Sequence, residues 1–200
     1  MLKLVVAILT AIALLAAPTM TLSAPQNPRD IVVHVTRDGA TFAIEADWSV
    51  AANADEVWAV LTDFEHMAQF LSSVDTSRIV SRDGNRLEVV QKTHASAGLL
   101  RLSLENTRAI VLTPKREIGT RLLKGDLKAS DFITRIVDEA GGSKVSVRGQ
   151  FIVSGLASVA VNVETVEVQT RLSYQELRDE ILRRKSNEPT PACLLAKTCP

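Results

Sequence analysis

The chain has 200 residues, of which 46% are hydrophobic and only 4% aromatic. Lys plus Arg and Asp plus Glu each number 23, so the formal net charge is zero. That balance argues against a nucleic-acid binder, which carries a basic excess, and the length suits one domain with extensions around a sizeable core.

The chain begins MLKLVVAILTAIALLAAPTMTLSAP, with one positive charge, Lys3, ahead of an apolar run from Leu4 to Ala17. This is the layout of a secretory signal peptide. The run is shorter than the roughly 20 apolar residues of a comfortable membrane-spanning helix. Residues 1–23 are therefore expected to be a signal sequence and the protein to be exported, periplasmic or secreted, with an uncleaved N-terminal anchor as the alternative. Cleavage is expected at residue 23 or 24. Ala24 is small but precedes Pro25, and Ser23 with Thr21 two before it is the other choice.

Residues 24–40 read as a linker, PQNPRD, followed by an extra N-terminal strand, IVVHVT. An Asp38-Gly39 turn then joins it to TFAIEADWSVA. In that second strand Phe42, Ile44, Ala46 and Trp48 alternate with Ala43, Glu45, Asp47 and Ser49, which gives one apolar face. Asn53 is placed to cap a helix, with Glu56 three residues on in capping-box position. Val57, Trp58, Leu61 and Phe64 follow at helical spacing, and Met67, Phe70 and Leu71 continue on a second short helix whose start Thr62-Asp63 is expected to cap.

From Val74 the period changes to two. VDTSRIVSRDG and NRLEVVQKTHAS meet at Asp83-Gly84, another hairpin signal. LLRLSLENTRAIVLTP ends at Pro114; REIGTRLLKG, DLKASDFITRIVDEAGG and SKVSVRGQFIVSG complete six strands, with Gly141-Gly142 turning the last pair. Leu156 to Lys185 carries Val159, Val163, Val166, Leu172, Leu177 and Ile181 as an approximate helical stripe, interrupted near Thr170 to Tyr174. Residues 186–200 form a polar tail holding both cysteines, Cys193 and Cys199. In an exported chain these could pair, although a loop this small stabilises little. Free thiols and intermolecular pairing stay open, and no nearby His or Cys completes a metal site.

The order strand, two short helices, six antiparallel strands and long C-terminal helix resembles the helix-grip fold of the START-like (SRPBCC) superfamily. The resemblance is carried by WSVAANADEVWAVLTDFEHMAQFLSSVDTSRIVSRDG through RLEVVQ. It rests on Ala54 to Asp63, Phe70-Leu71 and Ser77 to Gly84, and covers about residues 41–185. The polyketide cyclase/dehydrase-like and coenzyme Q-binding families are the nearest relatives by this reading; the birch pollen allergens belong to the same group. The resemblance implies an α+β domain in which a curved antiparallel sheet of about seven strands, plus the extra strand, wraps the long helix. The two short helices would close one side of an apolar cavity of the kind that holds lipids, quinones or other apolar molecules.

Inward-facing candidates for that cavity are Leu87, Val89, Leu102, Leu104, Phe132, Phe151 and Val153 on strands, and Val159 and Val163 on the long helix. Phe70 and Leu71 are expected at its entrance. Any one of these residues is as well explained by packing in a dry core. The scarcity of aromatics favours an aliphatic or prenyl guest.

Polar chemistry is less legible. His94 with Glu105 or Asp131 is the pairing best suited to acid–base work inside the cavity, and surface or hydrogen-bonded histidines, His34 and His66 included, are the plainer reading. Arg101, Asn106 or Arg135 could orient a head group; Arg183 and Arg184 read as a solvated helix face. No nucleophile elbow, phosphate loop or His-Glu-x-x-His motif occurs. Neither a cofactor nor a bound metal is expected. The leading expectation is an exported carrier of a hydrophobic small molecule, near a membrane for ligand exchange and with no identified protein partner. A cyclase- or dehydrase-type enzyme using the same cavity ranks second, and an envelope protein-interaction module third.

Overall fold

The computed structural model describes residues 30–97, 100–153 and 161–187. The expected signal sequence, the Cys193 and Cys199 pair, Val159 and the side chain of Leu102 lie outside the described residues.

Eight strands form one antiparallel sheet: β1 (Val32–Asp38), β2 (Thr41–Val50), β3 (Val74–Asp83), β4 (Arg86–Ala97), β5 (Leu100–Thr113), β6 (Glu117–Gly125), β7 (Ala129–Glu139) and β8 (Gly142–Ile152). Their order is β1-β2-β8-β7-β6-β5-β4-β3, so β1 extends the sheet beyond β2 at one edge. Helices α1 (Ala54–Leu61) and α2 (Met67–Phe70) separate β2 from β3, and α3 (Val163–Asn187) closes the described chain. This is the helix-grip arrangement, with α3 packed against β1, β2 and α1.

The tight hairpins follow from backbone chemistry. Gly39 and Gly84 sit at φ +57° and +54°, directly after Asp38 and Asp83, in a region that a residue without Cβ enters freely. The alternation of β2 is reproduced side chain by side chain: Phe42, Ile44, Ala46 and Trp48 are all buried. Phe42 stacks on Phe151 of β8, ring centroids 5.2 Å apart.

α1 begins with a complete capping box. Asn53 Oδ1 accepts from the backbone N–H groups of Asp55 and Glu56 at 3.0 and 2.9 Å, and Glu56 Oε2 accepts from the Asn53 N–H at 2.7 Å. Thr62-Asp63 does not cap α2, contrary to the sequence reading. Thr62 ends α1, its Oγ1 donating to the Trp58 carbonyl at 2.7 Å, and Asp63 is bonded to His66 instead. The long helix also starts later than the valine stripe suggests. Val161 and Asn162 are not helical, and Asn162 Oδ1 accepts from the Thr165 N–H at 2.8 Å to cap the first turn of α3.

The C-terminal half of α3 is seated in the apolar core. Leu177 and Ile181 are buried there, in the same apolar core as Trp48 of β2 and Val57 and Val60 of α1. Each such side chain contributes about 1.5–3 kcal/mol when fully withdrawn from water. The extra strand is part of this body rather than an appendage. Ile31 just before β1, with Val33 and Val35 on it, is buried, and Arg37 Nη1 donates to the Val161 carbonyl at 2.9 Å, tying the strand to the residue pair that leads into α3.

Candidate functional site: a cavity between sheet and helix

Between the N-terminal half of α3 and the concave sheet lies a cavity of about 400 Å³, within the range of roughly 300–1,000 Å³ that small-molecule sites occupy. The sheet supplies Ile44 from β2, Val147 and Phe151 from β8, Phe132 from β7 and Leu104 from β5, with Val153 just past β8. The helix side supplies Val161, Val166, Gln169, Thr170, Ser173 and Tyr174. Period two explains the sheet wall: Ile44, Phe132, Val147 and Phe151 fall on the inward parity of their strands, and β8 brings Gly149 opposite both Ile44 and Phe132. A Cβ on Gly149 would stand 2.4 Å from the Phe132 ring and 2.3 Å from the Asp131 carbonyl. Glycine at this position is what lets the ring lie across the sheet.

A smaller space of about 140 Å³ adjoins, lined by Trp48, Leu61, Met67 and Leu177 among others. Thr134, Val147 and Tyr174 line both spaces. The Tyr174 ring stacks on Trp48 with centroids 6.1 Å apart, and burial pushes its phenol well above the ordinary tyrosine range.

The cavity wall is chiefly apolar, but two of its polar atoms are buried without a hydrogen-bond partner: Arg108 Nε and Ser130 Oγ. Arg108 is the only charged side chain among the described residues of the wall. Burial lowers its guanidinium pKa, with no offsetting partner.

The structure brings Leu104, Phe132, Phe151 and Val153 to the cavity wall. Of the other expected residues that the structure describes, Leu87, Val89, Val163, Phe70 and Leu71 do not line it. Leu87 and Val89 are buried in the packed core. Val163 packs against the core without facing the cavity, and Val161 and Val166 take its place. Phe70 and Leu71 lie toward the opposite end of α3, where the Arg184 guanidinium sits 5.4 Å from the Phe70 ring centroid. Parity names the face of a strand, but only the position of the helix decides whether that face meets packing or space.

The expected acid–base pair is not in the cavity either. His94 Nδ1 is 2.9 Å from Asp75, Glu105 is exposed, and Asp131 pairs with Arg121 at 3.1 Å. Of the proposed head-group residues, Asn106 is buried but its Oδ1 accepts from the Leu127 N–H at 3.1 Å. Arg135 is paired with Glu117 at 2.9 Å on the outside of the sheet, and the side chain of Arg101 lies outside the described residues. Arg108 was passed over, although it shares the parity of Leu104 and Ile110 on β5; a charge on an inward row was the signal.

Arg184 is not part of a solvated face. It pairs with Asp63 of the α1–α2 turn at 2.8 Å and with Glu180 at 2.6 Å. Glu180 is itself buried, and hydrogen bonds from Arg183 and then Arg184 lower its pKa to about 2. Burial would raise the Asp63 pKa, but hydrogen bonds from His66 and Arg184 outweigh it and hold the carboxyl below its ordinary value. Lys185 adds a 2.8 Å bond to the Ala51 carbonyl. Among the described residues no three His, Cys, Asp or Glu side chains converge as a metal site, and no helix is long and apolar enough to cross a membrane.

Sheet, grip helix and the cavity between them define the START-like class. The chain belongs, within that class, to the polyketide cyclase/dehydrase and lipid transport family, whose profile matches residues 41–180. Solved structures of this fold include an aromatase/cyclase, Zhui, from Streptomyces sp. R1128, with TM-score 0.59 and 18% identity over 72% of this chain and 96% of that one. They include a STAR-related lipid transfer protein from Xanthomonas axonopodis, with TM-score 0.59 and 13% identity over 75% and 98%. A START superfamily protein from Mycobacterium smegmatis is similar at TM-score 0.57 and 16% identity over 71% and 98%. No curated protein matches the sequence. At these identities the structural likeness speaks for the fold alone, and family and fold together fit hydrophobic-ligand binding or cyclase/dehydrase-type activity.

Proposed function

We propose that this protein is an exported carrier that holds one hydrophobic small molecule, a lipid, isoprenoid or quinone-like compound, between α3 and the sheet. The observation that carries this reading is the cavity of about 400 Å³ with Ile44, Phe132, Val147, Phe151 and Val166 in its wall. Burying a guest's apolar surface there releases about 25 cal/mol per Å², and a largely preformed site avoids much of the ordering cost of binding. Export is supported by the charge-then-apolar layout of residues 1–23, and delivery of such a guest is served by proximity to a membrane.

A cyclase- or dehydrase-type enzyme is the second reading. It draws on the polar atoms of Arg108 and Ser130 in the wall. It ranks lower because His94 and Glu105, the best acid–base pair in the sequence, stand outside the cavity, and turnover needs titratable groups converging on the reacting atoms.

Organic extraction of the purified protein followed by mass spectrometry tests the carrier reading. One apolar compound in near-stoichiometric amount is expected. Repeated preparations that yield no compound and take up no apolar dye such as Nile red would overturn it. Fractionation of cells expressing the full chain tests export separately.

A further inference from the structure

Arg108 is an anomaly in a wall whose other described residues are apolar or neutral polar. A guanidinium cannot shed its charge at ordinary pH, and burying a charge without a counter-ion is among the costliest arrangements in a protein. Every Asp and Glu of the chain except Glu188 lies among the described residues. None of these described carboxylates forms an ion pair with the half-buried Arg108, and burial lowers its pKa. Its Nε is fully buried and makes no hydrogen bond, and the same holds for Ser130 Oγ.

The sheet places these two orphans on one level. Arg108 of β5 pairs with Leu122 of β6. Arg121 pairs with Asp131 of β7, so Ser130 stands one step on, at the level of Leu122. Two strand spacings, about 10 Å, separate the two backbones, and both side chains reach the same cavity. A cation and a neutral hydroxyl on one stretch of wall, with apolar surface beyond them, describe the mould of an amphiphile.

Resting on the carrier reading above, we propose that the guest is an amphiphile bearing a single carboxylate, whose head group pairs with Arg108 and accepts a hydrogen bond from Ser130, while its apolar chain lies along Phe132, Phe151, Val153 and Val166. Charge count selects carboxylate over phosphate monoester. Arg108 is the one charge among the described wall residues, so a monoanion is neutralised and a dianion is left in excess. Geometry agrees, since the planar fork of Arg meets both carboxylate oxygens at once.

The test uses the protein loaded with Nile red, a neutral dye, at about pH 7.5, where an ordinary carboxyl group is ionised. Laurate, methyl laurate, 1-dodecanol and dodecyl phosphate are compared as displacing agents on the wild type, Arg108→Gln and Ser130→Ala. Laurate is expected to displace the dye at least about tenfold more effectively than the ester or the alcohol, the scale of a charge-assisted hydrogen bond. Arg108→Gln should erase that preference, and Ser130→Ala should reduce it severalfold. The laurate-to-ester ratio on the wild type decides even if Arg108→Gln fails to fold. Equal displacement by laurate, ester and alcohol would overturn the head-group assignment and leave the carrier reading standing. Tighter binding of dodecyl phosphate than of laurate would overturn the carboxylate. Failure of the wild type to take up Nile red at all would bring down the carrier reading and this one with it.

Discussion

From Leu177 to Lys185, α3 is anchored by buried Leu177, Glu180 and Ile181 and by bonds to Asp63 and Ala51. From Val163 to Tyr174 the same helix turns Thr165, Val166, Gln169, Thr170 and Ser173 toward a cavity. One continuous helix therefore serves two purposes. Its second half supplies the packing density and ion pairing that fix the helix on the sheet, and its first half, held at a distance by that anchorage, can forgo dense packing. A helix packed uniformly along its length would leave no room for a guest; one loosely packed throughout would not hold its place.

This contrast can be broken or sharpened by substitution. The largest effect is expected in the anchored half. Ile181→Ala should cost about 3 kcal/mol of unfolding free energy in urea titration, because the hole it leaves is walled by packed neighbours, whereas Val166→Ala, already beside space, should cost about 1 kcal/mol. Equal costs would show that the two halves do not differ in packing. Gly149→Ala comes next, at about 2 kcal/mol, since the added methyl collides with backbone and with the Phe132 ring. It should also reduce dye uptake by displacing that ring.

Glu180→Gln should cost about 1 kcal/mol at neutral pH once solvent around the exposed Arg183 is allowed for. Because the folded pKa of Glu180, about 2, lies below its unfolded value, its stabilisation is complete above about pH 5 and is lost as the pH falls toward about 2. The gap in Tm between wild type and Glu180→Gln should therefore narrow on acidification; a gap that widened would sink the assignment. The smallest stability change is expected for Thr170→Trp, within about 0.5 kcal/mol, because the indole has the cavity to occupy. Dye uptake should nonetheless be lost.

Much of the fold was legible in local chemistry. Asp38-Gly39 and Asp83-Gly84 announce hairpins, Asn53 with Glu56 announces a helix start, and the alternation from Phe42 to Trp48 announces which face is inward. The cavity was legible only in part. Phe132 and Phe151 were reachable by parity and so was Arg108, but parity could not separate them from Leu87 and Val89, which point inward where the core is packed. That distinction depends on where α3 lies over the sheet, and Leu177, Ile181 and the Arg184–Asp63 pair decide this through contacts distant in sequence. Arg184 was misread for the same reason: its acidic partner on the α1–α2 turn is invisible to helical periodicity.

The stacking of Tyr174 on Trp48 gives the molecule a built-in optical gauge. Tyr174 borders the cavity and Trp48 does not, so a guest that nudges the phenol alters the surroundings of the indole behind it without touching it. Trp48 is one of only two tryptophans in the chain. With Trp58 replaced by Phe, its emission would report occupancy directly, with no dye added.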